Sequence, residues 1–172
     1  MSNAVIPRLS DSVEQIRGAP AIASLAALSV SQYLTRGLRS APLPGYFASP
    51  ESFKTHIEGV LNFLVTARPT AVNLSAATRR LTKSLNDGLD ASKDLSAIAQ
   101  DLITEGKAVA DEDVGRNKLM AKWGGSWLVE RVAGLGEATE GTINVLTVCN
   151  TGSLATSVCD FIFWLLHQRS CL

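Results

Sequence analysis

Residues 145–156, VLTVCNTGSLAT, decide the fold predicted for the second half of this chain. A short apolar run over 145–148 is typical of a buried strand, and Cys149, Asn150, Thr151 and Gly152 follow it at once. In open α/β sheets, ligands bind outside the carboxyl ends of strands. This order therefore predicts a strand that delivers the Cys149 thiol to a small-molecule site, and the alternative is a buried, inert cysteine.

Two arginines upstream lie just before predicted helices. Arg17 and Gly18 precede Pro20, which suits the first turn of a helix, and Arg68 precedes Pro69. The N–H groups at a helix start favour an anion such as phosphate, which arginine binds in a bidentate fork. The alternative at each position is an ordinary turn with a solvated arginine.

Apolar residues at helical spacing predict five helices, starting near Pro20, Pro50, Thr70, residue 92 and Glu112. Asn86-Asp87-Gly88 is interpreted as the turn that ends the third. The spacing assigns the following residues to packing faces: Phe53, Ile57, Leu61 and Leu64 in the second helix, Val72, Leu74, Ala76, Ala77 and Leu81 in the third, and Leu119, Trp123, Trp127, Leu128 and Val132 in the last. His56 is interpreted as a boundary residue and not as a metal ligand.

The composition narrows the class of protein. The 172 residues are 46% hydrophobic and carry 16 basic and 16 acidic side chains, so no charge footprint for nucleic acid or an anionic membrane is present. Three cysteines favour a reducing compartment over a disulfide scaffold. The first 20 residues have no signal-peptide pattern, and the longest apolar run, residues 161–166, is too short to span a bilayer. We expect a cytoplasmic protein, with the nucleus as a further location.

Gly134, Gly136 and Gly141 bracket a charged linker, which marks the predicted domain boundary. The predicted fold class is a mainly α N-terminal helical domain over residues 1–136. The first strand of an incomplete α/β (Rossmann-like) domain follows within residues 137–172.

Three segments carry a resemblance to a known family. RGAPAI at 17–22, ARPTAVNL at 67–74 and VLTVCNTGSLAT at 145–156 resemble, in this order, segments of the methylthioribose-1-phosphate isomerases of methionine salvage. A weaker match covers residues 117–130. The resemblance extends over about residues 13–157.

The resemblance implies conversion of 5-methylthioribose 1-phosphate into 5-methylthioribulose 1-phosphate, without cofactor or metal. It implies that Cys149 is catalytic, paired in the family with an aspartate far downstream, and that Arg17, Gly18, Ala19 and Arg68 bind the phosphorylated pentose. It also implies the homodimer of the complete family members. The chain departs from the family at residue 148, where a valine replaces the histidine of many members; an apolar neighbour suits a thiol that stays protonated and acts as an acid.

Two other functions are compatible with the resemblance. The regulatory subunits of the translation-initiation exchange factor share the fold and act as non-catalytic binding modules. Ribose-bisphosphate isomerases differ mainly in the pocket for the 5-substituent.

The tail over 157–172 diverges from the family, where a glycine-rich turn and a helix follow LAT. We therefore expect a truncated product whose second catalytic group lies beyond residue 172. We expect the 172-residue chain to be aggregation-prone and to have no measurable isomerase activity. Asp160, in the divergent tail, is assigned no role.

Overall fold

The computed structural model describes residues 18–134, and this part of the chain is helical throughout. Its elements are α1 (Ala19–Leu38), a 3₁₀ turn (Gly45–Phe47), α2 (Pro50–Ala67), α3 (Val72–Asp90) and α4 (Leu95–Gly134). The prediction of a helical N-terminal domain is confirmed for these residues, which contain no strand. The strand predicted over 145–148 and the domain boundary predicted after residue 136 lie outside them.

Helix α1 is the central element, since it packs against both α3 and α4. It begins where Pro20 predicts, and its apolar face buries Ile22, Val30 and Leu34 in the main core. None of the described helices combines the length and the apolarity needed to cross a bilayer.

The crossing of α1 and α4 depends on small residues. A Cβ added at Gly106 would lie 2.7 Å from the Ala27 carbonyl oxygen and would collide with the Ser31 hydroxyl. The same hydroxyl lies 3.0 Å from the Ala27 carbonyl and 3.1 Å from the Ile103 carbonyl of α4, within hydrogen-bonding distance of both. The two backbones can approach this closely because Gly106 has no side chain.

Helix α2 follows the sequence prediction closely. Ser49 is its N-cap and accepts a hydrogen bond from the Ser52 N–H at 3.1 Å, Pro50 opens the first turn, and Glu51 places a negative charge there. The predicted face is buried, with Phe53, Ile57, Leu61 and Leu64 at most 2% exposed. This face packs on α3, and the 3₁₀ turn lies beside the start of the helix.

The turn predicted at Asn86-Asp87-Gly88 is wrong, because α3 continues to Asp90. Gly88 is buried against α4, where an added Cβ would lie 2.9 Å from Cγ1 of Ile98. The glycine therefore permits close packing inside a helix. The chain turns after it, through Ser92 in the left-handed region (φ 51°), and Asp94 caps α4 through the Ser96 N–H at 2.9 Å.

The predicted break between residues 110 and 112 is also wrong, because α4 is a single 40-residue helix. Its buried positions continue through that region at helical spacing: Val109, Asp113, Asn117 and Ala121. Two of them are polar, so the apolar pattern alone did not follow the face.

Several residues assigned to packing faces are exposed. Trp123 and Trp127 are 66% and 63% exposed, so the core-packing interpretation of this pair is wrong. Leu119 and Val72 are exposed as well, whereas Leu74, Ala77 and Leu81 of α3 are buried as predicted.

Candidate functional site

Three of the five predicted site residues lie in the described part of the chain. Gly18 and Ala19 form the start of α1, and Arg68 lies between α2 and α3. Arg17 and Cys149 lie outside the described residues.

The start of α1 has no capping side chain of its own. Its N-cap is Gly18, which is buried and extended (φ −82°, ψ 126°), and its first turn contains no acidic residue. The Ile22 N–H donates to the Gly18 carbonyl at 2.9 Å and closes the first turn. The N–H groups before Ile22 are the ones that an α-helix leaves without backbone partners.

The junction of α2 and α3 is built around Arg68. This residue ends α2, where its N–H donates to the Val65 carbonyl at 3.2 Å, and its own carbonyl accepts from the Ala71 N–H at 3.0 Å. Ala71 is the N-cap of α3, so this helix also starts without a capping side chain and without an acidic residue in its first turn. Arg68 is partly buried, and the hydrogen bond from Ala71 to its carbonyl keeps its backbone beside this start.

The other two described helices start differently. Ser49 and Glu51 complete the start of α2, and the Asp94 carboxylate accepts from the N–H groups of Ser96 and Ala97 at 2.9 and 3.4 Å at the start of α4. The helices that the predicted site uses are therefore the two that have neither a capping side chain nor an acidic residue in the first turn, as a helix start that binds an external anion would require.

The starts of α1 and α3 border one cavity of about 200 Å³. Side chains of α4 complete its wall, and its polar or rigid lining residues are Pro20, Ser24, Asn73, Arg80, Asp113 and Arg116. The sequence interpretation missed the contribution of α4, because it placed a helix break near residue 111.

Arg80 and Arg116 in this wall are already paired with carboxylates. Arg80 contacts Glu105 through Nε at 2.7 Å and binds both oxygens of Glu112 at 2.8 and 2.9 Å, and Arg116 reaches Glu112 at 3.3 Å. The pKa of Arg80 is raised above its ordinary value, mainly by the hydrogen bonds with Glu112 and less by the contact with Glu105. The same hydrogen bonds lower the pKa of Glu112. This network links α3 to α4, and the two glutamates neutralise much of the positive charge of Arg80 and Arg116.

A buried polar pair lies behind the network. Asp113 and Asn117 are each 7% exposed, and the Asn117 side-chain amide donates to the Asp113 carboxylate at 3.3 Å. Their spacing of four residues places them on one face of α4. That spacing is a signal that the sequence carried, since Asn117 already begins the weaker match over 117–130.

A second, larger cleft of about 650 Å³ lies at the 3₁₀ turn and the start of α2, away from the predicted site. His56 lines it, stacks on Tyr46 with ring centroids 4.2 Å apart, and lies 2.6 Å from the Tyr33 hydroxyl. Burial lowers the pKa of His56 and raises the pKa of both tyrosines. Among residues 18–134, no three His, Cys, Asp or Glu side chains are grouped closely enough to hold a metal ion.

Comparisons with known proteins confirm the resemblance. The chain is 68% identical over 143 residues to a methylthioribose-1-phosphate isomerase of Laccaria bicolor and 55% identical over 143 residues to one of Postia placenta. Each match covers 83% of this chain and 37% of the relative. The chain thus spans little more than a third of the length of these relatives.

A solved structure and a family model agree with these matches. The chain superposes with a TM-score of 0.71 and 26% identity on the crystal structure of 5-methylthioribose 1-phosphate isomerase from Pyrococcus horikoshii OT3, over 95% of this chain and 41% of that one. The model of the initiation factor 2 subunit family matches residues 15–168, a range that includes all five predicted site residues. On this match over most of its length, the chain belongs to the initiation factor 2 subunit family.

Proposed function

We propose that the protein is an aldose–ketose isomerase of methionine salvage that interconverts 5-methylthioribose 1-phosphate and 5-methylthioribulose 1-phosphate. The observation that carries the proposal is the 68% identity over 143 residues to the Laccaria bicolor enzyme of that name. The proposal extends to a helical domain over residues 1–136, the start of a truncated α/β domain over residues 137–172, the homodimer of the complete family members and a cytoplasmic location.

The chemistry of the substrate defines what the site must supply. Because the anomeric oxygen carries the phosphate, the ring does not open spontaneously as it does in a free sugar. An acid must assist the opening, and a hydrogen must then move between C1 and C2. In the proposal Cys149 supplies the acid, since a thiol at the end of the strand predicted from the sequence could hold a proton close to the sugar.

The phosphate is proposed to bind at the start of α1, with the N–H groups of Gly18 and Ala19 and the side chains of Arg17 and Arg68. Two features of the described residues support this. The N-caps of α1 and α3 offer no side chain to the first N–H groups, and both helix starts border the same cavity. An anion placed there gains hydrogen bonds and the favourable end of two helix dipoles.

Calorimetric titration of the 172-residue chain tests the proposal directly. Methylthioribose 1-phosphate should bind, whereas methylthioribose, which lacks the phosphate, should not bind measurably. Ribose 1,5-bisphosphate is the third ligand, because it keeps the anomeric phosphate and changes only the 5-substituent. Equal binding of the first two sugars would contradict a phosphate site at α1.

A non-catalytic binding module is the second candidate, because the matching family model carries the name of initiation factor 2 subunits. A module of that kind has no need of a sugar-phosphate site. A folded chain that binds none of the three sugars would favour it over the isomerase.

A further inference from the structure

The cavity between the starts of α1 and α3 has two chemically different sides. On one side lie the two helix starts that have neither a capping side chain nor an acidic residue in the first turn. On the other side lies α4, which contributes the carboxylate of Asp113. The first side suits an anionic group, because the N-terminal end of a helix is positive, and the second side accepts hydrogen bonds.

Asp113 differs from the two acidic residues that precede it in α4. It is only 7% exposed, whereas Asp111 and Glu112 are exposed. The side-chain amide of Asn117, one turn further along α4, donates to the Asp113 carboxylate at 3.3 Å. A carboxylate offers about four acceptor positions, so a fixed partner such as Asn117 does not prevent it from binding ligand hydroxyls as well.

The arginines in the wall of the cavity restrict which way round a ligand can bind. Arg80 and Arg116 both contact Glu112, which neutralises much of their charge, and Asp113 adds a negative charge on the same helix. A phosphate placed against α4 would therefore be repelled by Asp113 without a free cation to compensate. The favourable orientation directs the anion of the ligand to the helix starts and its neutral part to α4.

A phosphorylated pentose has the matching chemistry. Its phosphate is carried by C1, and the neighbouring carbons C2 and C3 each carry a hydroxyl group. The two oxygens of one carboxylate can accept from two adjacent hydroxyls, and such bonds to a charged group are stronger than those between neutral groups. Dinucleotide-binding domains likewise use a carboxylate to bind a ribose hydroxyl.

We propose that Asp113 determines the specificity of this cavity for the sugar, by accepting hydrogen bonds from the hydroxyls at C2 and C3 of the phosphorylated pentose. This assignment rests on the proposed function, since it takes the phosphate at the helix starts as the anchor of the ligand. Asn117 is a positioning residue, because its amide holds the carboxylate from the side of α4. Neither residue belongs to the segments 17–22, 67–74 and 145–156 that indicated the site.

Calorimetric titration of the 172-residue chain with three sugars measures what the hydroxyls contribute. The sugars are methylthioribose 1-phosphate and its 2-deoxy and 3-deoxy analogues, which keep the phosphate and the 5-substituent. Each analogue should bind about 10- to 100-fold more weakly than the parent sugar, the effect of losing one hydrogen bond to a charged group. This comparison uses the unsubstituted chain, so it does not depend on whether a variant folds.

Substitutions then assign the preference to one side chain. Asp113→Ala should weaken binding of the parent sugar, and both analogues should bind it as well as the parent does, within about twofold. Inorganic phosphate should bind equally or more tightly, because a negative charge has left the cavity. Asp113→Asn keeps one acceptor oxygen and should show an intermediate preference. Asp111→Ala, which removes an exposed carboxylate two residues earlier, is the matched control and should retain the full preference.

The outcomes separate this assignment from the phosphate site itself. Equal binding of the three sugars by the unsubstituted chain would overturn the role of Asp113 and leave the phosphate site intact. A preference that persists in Asp113→Ala would overturn it as well. Urea denaturation checks that both Asp113 variants are folded, and an equal loss of sugar and phosphate binding in a folded variant would reduce Asp113 to a structural residue. Failure of the unsubstituted chain to bind methylthioribose 1-phosphate would overturn the proposed function, and this assignment with it.

Discussion

At the residue scale, Arg68 is the described side chain that most directly tests the phosphate site. It lies beside the start of α3, and Arg79, an exposed arginine within α3, serves as the control. Arg68→Ala should weaken binding of methylthioribose 1-phosphate by about 1.5–3 kcal/mol, the range for hydrogen bonds to charged groups. Arg68→Lys should recover only part, because a single ammonium cannot form the bidentate fork. Calorimetric titration measures all three variants, and equal losses for Arg68→Ala and Arg79→Ala would remove Arg68 from the site.

Cys149 carries the second prediction at this scale. In a preparation that turns over methylthioribose 1-phosphate, Cys149→Ala should lower kcat by roughly a hundredfold or more, the usual effect of losing a proton-transfer group. Cys149→Ser keeps the shape of the side chain but makes it a far weaker acid, so it should show a similar loss. Steady-state kinetics measure both, with the neighbouring Thr151→Val as a control for packing. Near-normal kcat in the alanine variant would reduce Cys149 to the inert buried cysteine of the alternative interpretation.

His56 gives a prediction on pH. Burial lowers its pKa in the folded protein below the ordinary value of 6.5, so below that pH the unfolded chain binds a proton that the folded one resists. The free energy of unfolding should therefore fall as pH drops from about 6.5 towards the lower folded pKa. Urea denaturation at pH 7.5 and 5.5 measures the change, which His56→Gln should diminish and the other histidine variant, His167→Gln, should not. An undiminished pH dependence in His56→Gln would assign the effect to other groups.

At the element scale, the fold depends on how closely α1, α3 and α4 approach one another. Gly106 in α4 lies against the Ala27 backbone, and Gly88 in α3 lies against Ile98. In both places the helix gains packing against a neighbour because a side chain is missing. The intrinsic preference of glycine against helices is outweighed there by the contact that it permits.

Gly106→Ala should destabilise the protein by about 1–3 kcal/mol, because the new methyl group overlaps the backbone of α1 at a place where neither helix can yield easily. Gly115→Ala is the matched control in the same helix, since nothing lies within 4 Å of the added Cβ. It should stabilise the protein by roughly 0.5–1 kcal/mol through the better helix propensity of alanine. Urea denaturation followed by circular dichroism measures both. Stabilisation by both substitutions would show that α1 and α4 do not cross this closely in solution.

At the scale of the whole molecule, α4 links two different surfaces of the described residues. The starts of α1 and α3 form a small polar cavity with α4, and the distal half of α4 extends beyond it with Leu119, Met120, Trp123 and Trp127 exposed. The first surface is the proposed place of a small anion, and the second is apolar. The two lie on the same long helix, so the continuity of α4 through residue 111 decides their relative position.

Local signals in the sequence determined the helical class, the starts of α1 and α2 and the buried face of α2. Capping residues and prolines act within one turn, and a regular apolar spacing needs no information from elsewhere in the chain. The segment order that carries the family resemblance is likewise a property of the sequence, and it identified Arg17, Gly18, Ala19, Arg68 and Cys149 as site candidates.

Only the tertiary structure decided where α3 ends and that α4 is continuous. Asn86-Asp87-Gly88 has the composition of a turn, but Gly88 stays helical because Ile98 packs against its bare Cα. The face of α4 passes through Asp113 and Asn117, which are buried although they are polar, so an apolar pattern cannot reveal it. Trp123 and Trp127 show the converse, since their helical spacing is typical of a core but the described helices leave them exposed. Spacing tells which residues share a face, and only the packing of the helices tells which faces are covered.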